Sequence, residues 1–313
     1  MTKISIIIAV YNEKENIRPL IDSIRKVFPK GTMDYEIIFV DDGSCDDTPQ
    51  MIRDCIDRDV ILIELKKNFG QSAALKAGID HASGDYIATL DGDLQNDPVD
   101  LPMMMEVLIR NDCDIVTGIR ADRKDHFILR RIPSGIANYM ARKVTRTDIR
   151  DNGCGIKVFR SEILKGIPLY GERHRFLASL AVLEGASVMQ VIVRHHVRVH
   201  GKSKYGLGRT FKAISELMLM NFTRKYGEKP MYLFGPLGLV SSLAGTVILI
   251  WLLIQKIMGQ DIWGRPIMIL GVLLMFIGFQ IISTGLILDH LVRRDFEADL
   301  TKSYKIKRIT RAE

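Results

Sequence analysis

The sequence predicts an α/β fold, a mostly parallel sheet flanked by helices, that continues into a two-helix transmembrane hairpin. Three observations predict it. Strand-like and helix-like segments alternate through the first 120 residues, the pattern of strands joined by helical crossovers. One strand runs into Asp91-Gly92-Asp93-Leu94-Gln95, an acidic turn at the sheet edge where open α/β folds bind ligands. Near the end, Met231 to Gln255 and Pro266 to Leu288 contain no charged residue.

In order along the chain, strands read at 4–10, 35–41, 59–65, 85–91 and 113–118, short runs rich in apolar and β-branched residues. Helices read between them at 14–28, 47–56, 70–82 and 98–110. Pro98 suits the opening of the last, because the first turn of a helix has no use for its missing N–H. Residues 126–147 read as a basic amphipathic helix. A short segment at 155–160, a helix near 173–185 and a strand at 187–199 follow. A glycine-rich basic loop, 200–208, leads into a helix over 209–225. There Phe211, Ile214, Leu217, Met218 and Phe222 alternate with polar positions, as in helices that lie along a bilayer interface.

At about 1.5 Å of rise per residue, either uncharged stretch can cross a ~30 Å hydrocarbon core. Two such runs joined only by residues 256–265 are hard to house in a soluble fold. Arg224, Lys225 and Lys229 precede the first, and Arg293, Arg294, Lys302, Lys305, Lys307, Arg308 and Arg311 follow the second. The connecting loop offers Lys256 and Arg265 as its cations, so both ends are expected in the cytoplasm. Ile4 to Val10 is too short, and too soon followed by polar residues, to read as a signal peptide. Much of the net charge of +7 flanks the spans, so an anionic membrane surface explains it better than nucleic acid does. Cys45, Cys55, Cys113 and Cys154 form no Cys-x-x-Cys pair and show no zinc spacing; they are expected to be reduced and structural. Self-association into a homo-oligomer is left open.

Residues i and i+2 of an extended chain project to one side, so Asp91 and Asp93 present two carboxylates together. Oxygen ligands at a strand end suit a hard cation, Mg²⁺ or Mn²⁺, which in turn clamps a diphosphate. Asp-x-Asp alone is also a common turn; its company decides the reading. The first strand ends in Ala9-Val10-Tyr11-Asn12-Glu13 and the second in Val40-Asp41-Asp42-Gly43-Ser44. Each pattern also reads as a cap or turn, yet acids at neighbouring strand ends are what ribose hydroxyls and base amides need as acceptors. His195, His196 and His200 make a poor common ligand set, since adjacent strand residues face opposite sides; surface or structural roles are expected. Met103 to Met105 are expected in the core.

Taken jointly, these pieces resemble family 2 glycosyltransferases of the GT-A fold. Asn68-Phe69-Gly70 before a helix belongs to the same set. Arg198-Val199-His200-Gly201-Lys202-Ser203-Lys204-Tyr205, followed by an interfacial helix and a membrane hairpin, looks like the dolichol-phosphate mannose synthase and polyprenyl-phosphate glycosyltransferase branch. The resemblance implies inverting, metal-dependent transfer of a sugar from a nucleotide-sugar of the GDP-mannose or UDP-hexose type to a polyprenyl phosphate. It also implies roles. Ala9, Tyr11 and Glu13, with Asp41 or Asp42, would hold base and ribose. Asp91 would face the ribose and diphosphate, and with Asp93 and Gln95 would form the metal site. Arg120 would contact phosphate, and Arg130 or Arg131 would engage the acceptor phosphate. Arg198, Ser203 and Lys204 would close over the phosphates. The implied division is a cytoplasmic catalytic domain at 1–208 and an interfacial helix at 209–228. A hairpin at 229–291, with spans about 231–255 and 266–288, and a basic tail at 292–313 complete it, in the inner or plasma membrane.

One departure matters. Many relatives carry Thr-Gly-Asp followed by Phe-Arg, where this chain has Gly153-Cys154-Gly155-Ile156-Lys157, so position 155 offers no carboxylate base. Asp151 lies four residues earlier as a substitute, in an Asp-x-Gly-Cys pattern that resembles the aminoarabinose-transferring members. A phosphate monoester, with a second pKa of ~6, is already nucleophilic at neutral pH and needs no base. Two alternatives stand beside this reading. A polysaccharide or glycolipid synthase is disfavoured by too few spans and by the absence of Gln-x-x-Arg-Trp. A non-catalytic, membrane-anchored nucleotide-sugar-binding protein is disfavoured by the intact acidic motif.

Overall fold

The computed structural model describes residues 2–29, 33–120, 147–197 and 225–297, with single positions at 142, 215, 218–219 and 221–223. The expected helix at 126–147 and the loop 200–208 lie almost wholly outside them, and the helix at 209–225 and the tail for the greater part. The chain divides into two compact units, residues 1–218 and 219–313.

In the first unit, β1 (Lys3–Val10), β2 (Asp34–Asp41), β3 (Val60–Glu64) and β4 (Tyr86–Asp91) alternate with α1 (Lys14–Val27), α2 (Thr48–Arg53) and α3 (Gln71–His81). A 3-10 turn at Pro98–Asp100 opens α4 (Leu101–Arg110), and β5 (Ile115–Arg120) follows. Beyond residue 147 come β6 (Lys157–Arg160), α5 (Ser161–Lys165), a 3-10 turn at Arg173–Phe176, α6 (Leu177–Leu183) and β7 (Val188–Val193). The seven strands lie in the order β3-β2-β1-β4-β6-β5-β7. The first four pair in parallel, and β6 inserts antiparallel between β4 and β5.

Both faces of the central strands are covered. Ile4, Ile6 and Ile8 point into one core with Ile17, Leu20, Ile21 and Ile24 of α1, whose spacing lines one helix face. Ile7 joins Ile38, Ala74 and Ile79 in the other. This is why the strands read as near-continuous apolar runs. Met104 and Met105 are buried as expected, but Met103 faces solvent on the opposite side of α4.

Strand β4 runs antiparallel to β6, as β5 does, so β4 and β5 leave the sheet at the same edge, with Asp91 and Arg120 as their last residues. The expected strand at 187–199 stops at Val193 because Arg194 turns its N–H to Asp100 Oδ2 at 2.7 Å. The expected helix at 173–185 begins as the 3-10 turn and is regular only over α6.

The second unit holds α7 (Met231–Ile257) and α8 (Pro266–Glu297), both long and apolar enough to cross a membrane. Glycines let the two backbones meet: a β-carbon on Gly245 would stand 2.6 Å from the Gly271 carbonyl, and one on Gly238 2.7 Å from that of Gly278. Ser241 Oγ donates to the Leu274 carbonyl at 2.8 Å. Leu237, Val240, Val247, Leu273, Phe276 and Phe279 are left exposed, a surface that water penalises and lipid accepts. The protein is therefore membrane-associated.

Candidate active site

Asp91, at the end of β4, has both oxygens engaged. Gln71 Nε2, at the start of α3, donates to Oδ1 at 3.2 Å, and Asn96 Nδ2 donates to Oδ2 at 3.3 Å. Gly92 is buried, and a β-carbon there would press on Val10 Cγ1 at 2.7 Å. The chain then reverses through Leu94 in the left-handed region, φ +60°, a conformation that few residues with a side chain adopt. The reversal brings the Gln95 N–H to Asp93 Oδ1 at 3.2 Å. Gln95 Nε2 donates to the His196 carbonyl at 3.4 Å, which turns its Oε1 away from that contact. Asp91, Asp93 and Gln95 thus share one half-buried turn. Among the described residues no three His, Cys, Asp or Glu side chains gather into a ready-made metal cage. Two carboxylates and an amide oxygen still fit a magnesium- or manganese-type site, which takes few protein ligands and completes itself with water and phosphate oxygens.

The ends of β1 and β2 are stitched together beside this turn. Val10 pairs with Asp41, and Ala9 with Asp91. Asn12, at φ +52°, donates its N–H to Ser44 Oγ and accepts from the Cys45 N–H, both at 2.8 Å. The Glu13 N–H reaches Thr48 Oγ1 at 2.9 Å. The two neighbouring acids have different fates. Asp42 accepts from the Phe69 and Gly70 N–H groups at 2.7 and 2.9 Å. Burial nonetheless holds its pKa above the usual carboxylate range, the desolvation outweighing those two bonds. Asp41 Oδ2 accepts from the Ser44 N–H at 3.1 Å, while Oδ1 is buried with no hydrogen-bond donor among the described residues.

At the end of β5, Arg120 forks onto Asp151. Nε donates to Oδ2 at 2.7 Å and Nη2 to Oδ1 at 2.8 Å, with the two side chains 16% and 5% exposed. Burial alone would lower the arginine's pKa, but the bonds and charge of Asp151 outweigh it and raise it above the ordinary value. Removing either partner of such a pair typically costs about 3–5 kcal/mol. The following residues pass beneath the site. A β-carbon on Gly153 would stand 3.2 Å from Arg120 Nη2, and one on Gly155 would fall within the Asp91 carboxylate. Cys154 is buried, which pushes its thiol up to about 11. Lys157, buried beside it, donates to the Cys154 carbonyl, and its burial lowers its pKa.

Several site residues were not anticipated. Gln71 and Ser72 follow the Asn-Phe-Gly motif directly, and that adjacency was the available signal. Ser72 Oγ accepts from the His174 backbone N–H at 3.2 Å and is hydrogen-bonded to its ring Nδ1 at 2.9 Å. Asn96 and Lys157 carried no sequence signal beyond their neighbours. His195 bridges Asn96, and His196 bonds the Gln95 carbonyl through its N–H and Asp97 Oδ2 through its ring, at 2.8 and 3.0 Å. Both take structural positions. Arg130, Arg131, Arg198, Ser203, Lys204 and His200 lie outside the described residues.

Comparison with known proteins gives these contacts a context. The family model described as Glycosyl transferase family 2 matches residues 5–167. The dodecaprenyl-phosphate galacturonate synthase of Rhizobium johnstonii is 38% identical over 313 residues, covering 98% of this chain and 93% of that one. The undecaprenyl-phosphate 4-deoxy-4-formamido-L-arabinose transferase of Yersinia pestis is 32% identical over 99% of this chain and 94% of its own. Among solved structures, glucosyl-3-phosphoglycerate synthase from Mycobacterium tuberculosis, in complex with Mn²⁺, UDP and glucosyl-3-phosphoglycerate, superposes with a TM-score of 0.54. It covers 71% of this chain and 80% of that one at 20% identity, a likeness of fold.

Proposed function

Because the chain belongs to glycosyl transferase family 2, we propose that it transfers a sugar from a nucleoside-diphosphate donor to a polyprenyl phosphate, with inversion at the anomeric carbon. One observation carries the acceptor class. The chain aligns over nearly its whole length, apolar helices included, with two enzymes whose names differ in the sugar and agree in the polyprenyl phosphate. The acceptor is the shared element, while the sugar varies.

The residue roles follow from the site. Ala9, Tyr11, Glu13 and Asp41 receive base and ribose; Asp41 Oδ1 is the better acceptor, since both oxygens of Asp42 already hold the Phe69 and Gly70 N–H groups. Asp91, Asp93 and Gln95 would hold Mg²⁺ or Mn²⁺, which would supply positive charge to the diphosphate. Gln71 and Asn96 keep the Asp91 carboxylate turned. Arg120, with Arg130 or Arg131, binds the acceptor phosphate. Arg198, Ser203 and Lys204 carry their phosphate-closing role on the sequence motif alone. A phosphate oxygen attacks the anomeric carbon, its bond to the nucleoside diphosphate breaks, and the diphosphate departs with the electron pair. An acceptor already ionised leaves the protein the work of alignment and charge stabilisation.

The sequence motifs support a division into a catalytic domain at 1–208, an interfacial helix at 209–228, the hairpin at 229–291 and a basic tail at 292–313. Positive flanks favour a cytoplasmic catalytic domain, beside the nucleotide-sugar pool. The test is a panel of UDP- and GDP-sugars with polyprenyl phosphate and Mg²⁺ or Mn²⁺, read as lipid-linked sugar. Transfer to free polyprenol as fast as to its phosphate would refute the acceptor assignment.

A further inference from the structure

The segment Asp151–Gly155 spans the gap between the ends of β5 and β4. At one end Asp151 grips Arg120; at the other Gly155 lies against Asp91. Strands β4 and β5 leave the sheet at the same edge, so the arginine and the acidic turn belong to one site face, and the Asp91 charge is felt at Arg120.

Within that face Asp151 turns both oxygens to Arg120 rather than to an acceptor. Both oxygens lie in the guanidinium fork, Oδ2 also faces the Arg120 N–H at 3.4 Å, and the side chain is 5% exposed. Arg120 Nε and Nη2 are committed to the fork, and Nη1 lies outside it. A guanidinium locked in a plane by a bidentate carboxylate presents its remaining edge in a fixed direction, which a phosphate can use.

We propose that Asp151 is a positioning residue: it fixes the plane of Arg120 so that the outer edge of the guanidinium meets the acceptor phosphate, and it transfers no proton. This rests on the polyprenyl-phosphate reading above. Among the described residues, the charged or titratable groups around the pair are Cys154 and Lys157, on the segment beneath it, and Asp91 from β4.

The experiment uses the full chain in detergent, with undecaprenyl phosphate as acceptor, and compares Asp151→Asn, Arg120→Lys and the double variant. A positioning role raises KM for the lipid phosphate about 10- to 100-fold in each single variant. It leaves KM for the donor and the shape of the pH–rate profile unchanged, and the double variant is no worse than the poorer single one, as for groups acting as a unit. If D151N does not fold, Asp151→Glu, which restores both oxygens on a longer arm, takes its place in the comparison. Loss of kcat by about 10²–10⁴-fold in D151N with disappearance of the acidic limb of the profile, while R120K retains kcat, assigns a base and overturns the proposal. Wild-type protein inactive toward polyprenyl phosphate with every donor overturns the functional reading itself. Active wild type with the base pattern overturns the positioning role alone.

Discussion

Gly155 packs against Asp91 so closely that any side chain at position 155 would occupy the space of the Asp91 carboxylate. The glycine that removes a carboxylate from this position in the sequence is therefore also what seats Asp91, the first acid of the proposed metal site. Thr89 Oγ1 secures the contact by donating to the Gly155 carbonyl at 2.9 Å.

Substituting this glycine should therefore damage the site before the fold. Gly155→Ala should lower kcat/KM by about a hundredfold, the usual scale for an ångström-sized misplacement of a catalytic group. Its thermal unfolding should stay near wild type. Full activity in G155A would show that the Asp91 carboxylate need not sit where Gly155 allows.

Gln71 and Asn96 hold the same carboxylate through its two oxygens. Gln71→Ala should cost roughly tenfold in kcat with little change in KM for the lipid, about the 0.5–1.5 kcal/mol of one hydrogen bond. A rise confined to lipid KM would move Gln71 to the acceptor side of the site.

Asp93→Ala should reduce transfer by at least about a hundredfold, because the leaving diphosphate loses its charge partner. EDTA should have the same effect on wild type, reversed by Mg²⁺ or Mn²⁺. Undiminished turnover in chelator would remove the metal from the mechanism.

Glu36 gives a pH-dependent contribution to stability far from the chemistry. Burial alone would raise its pKa, but Ser5 Oγ, the Ser83 N–H and Lys3 Nζ, at 2.5, 2.8 and 2.9 Å, hold it below the usual range. A depressed folded-state value stabilises above the ordinary glutamate pKa of ~4.3 and is lost as pH falls through the lower folded value. Glu36→Gln should thus cost about 1–3 kcal/mol at neutral pH, measured by denaturant unfolding, and the difference should shrink in acid. A constant difference down to low pH would mean that packing, not charge, explains the loss.

Orientation is tested by labelling in sealed cells on a cysteine-free background. An impermeant thiol reagent should modify a cysteine placed at Gln260, in the turn between α7 and α8, and leave one at Ser303 untouched. The reverse pattern would put the active site on the wrong side of the membrane for a cytoplasmic donor.

The sequence by itself determined what depends on local pattern. Buried parallel strands must be apolar on both faces, so β1, β2 and β4 were readable from Ile4–Val10, Tyr35–Asp41 and Asp85–Asp91. A helix in lipid must satisfy its own backbone, so α7 and α8 followed from two uncharged runs. The acidic strand ends were legible as a motif, but the extended-chain spacing was not what arranged it: β4 ends at Asp91 and Asp93 already lies in the turn that follows. Only the tertiary structure decided which groups those acids meet. Asp41 and Asp42 are equivalent as letters, yet the Phe69 and Gly70 amides, 27 and 28 residues away, claim both oxygens of Asp42. Asp151 reads as a loop acid and a candidate base until β6, inserted antiparallel, carries its segment across to Arg120 from 31 residues away. Periodicity records which face of an element is apolar. The partner of a buried charge is set by which strand ends the sheet order brings together, and that order is a property of the whole chain.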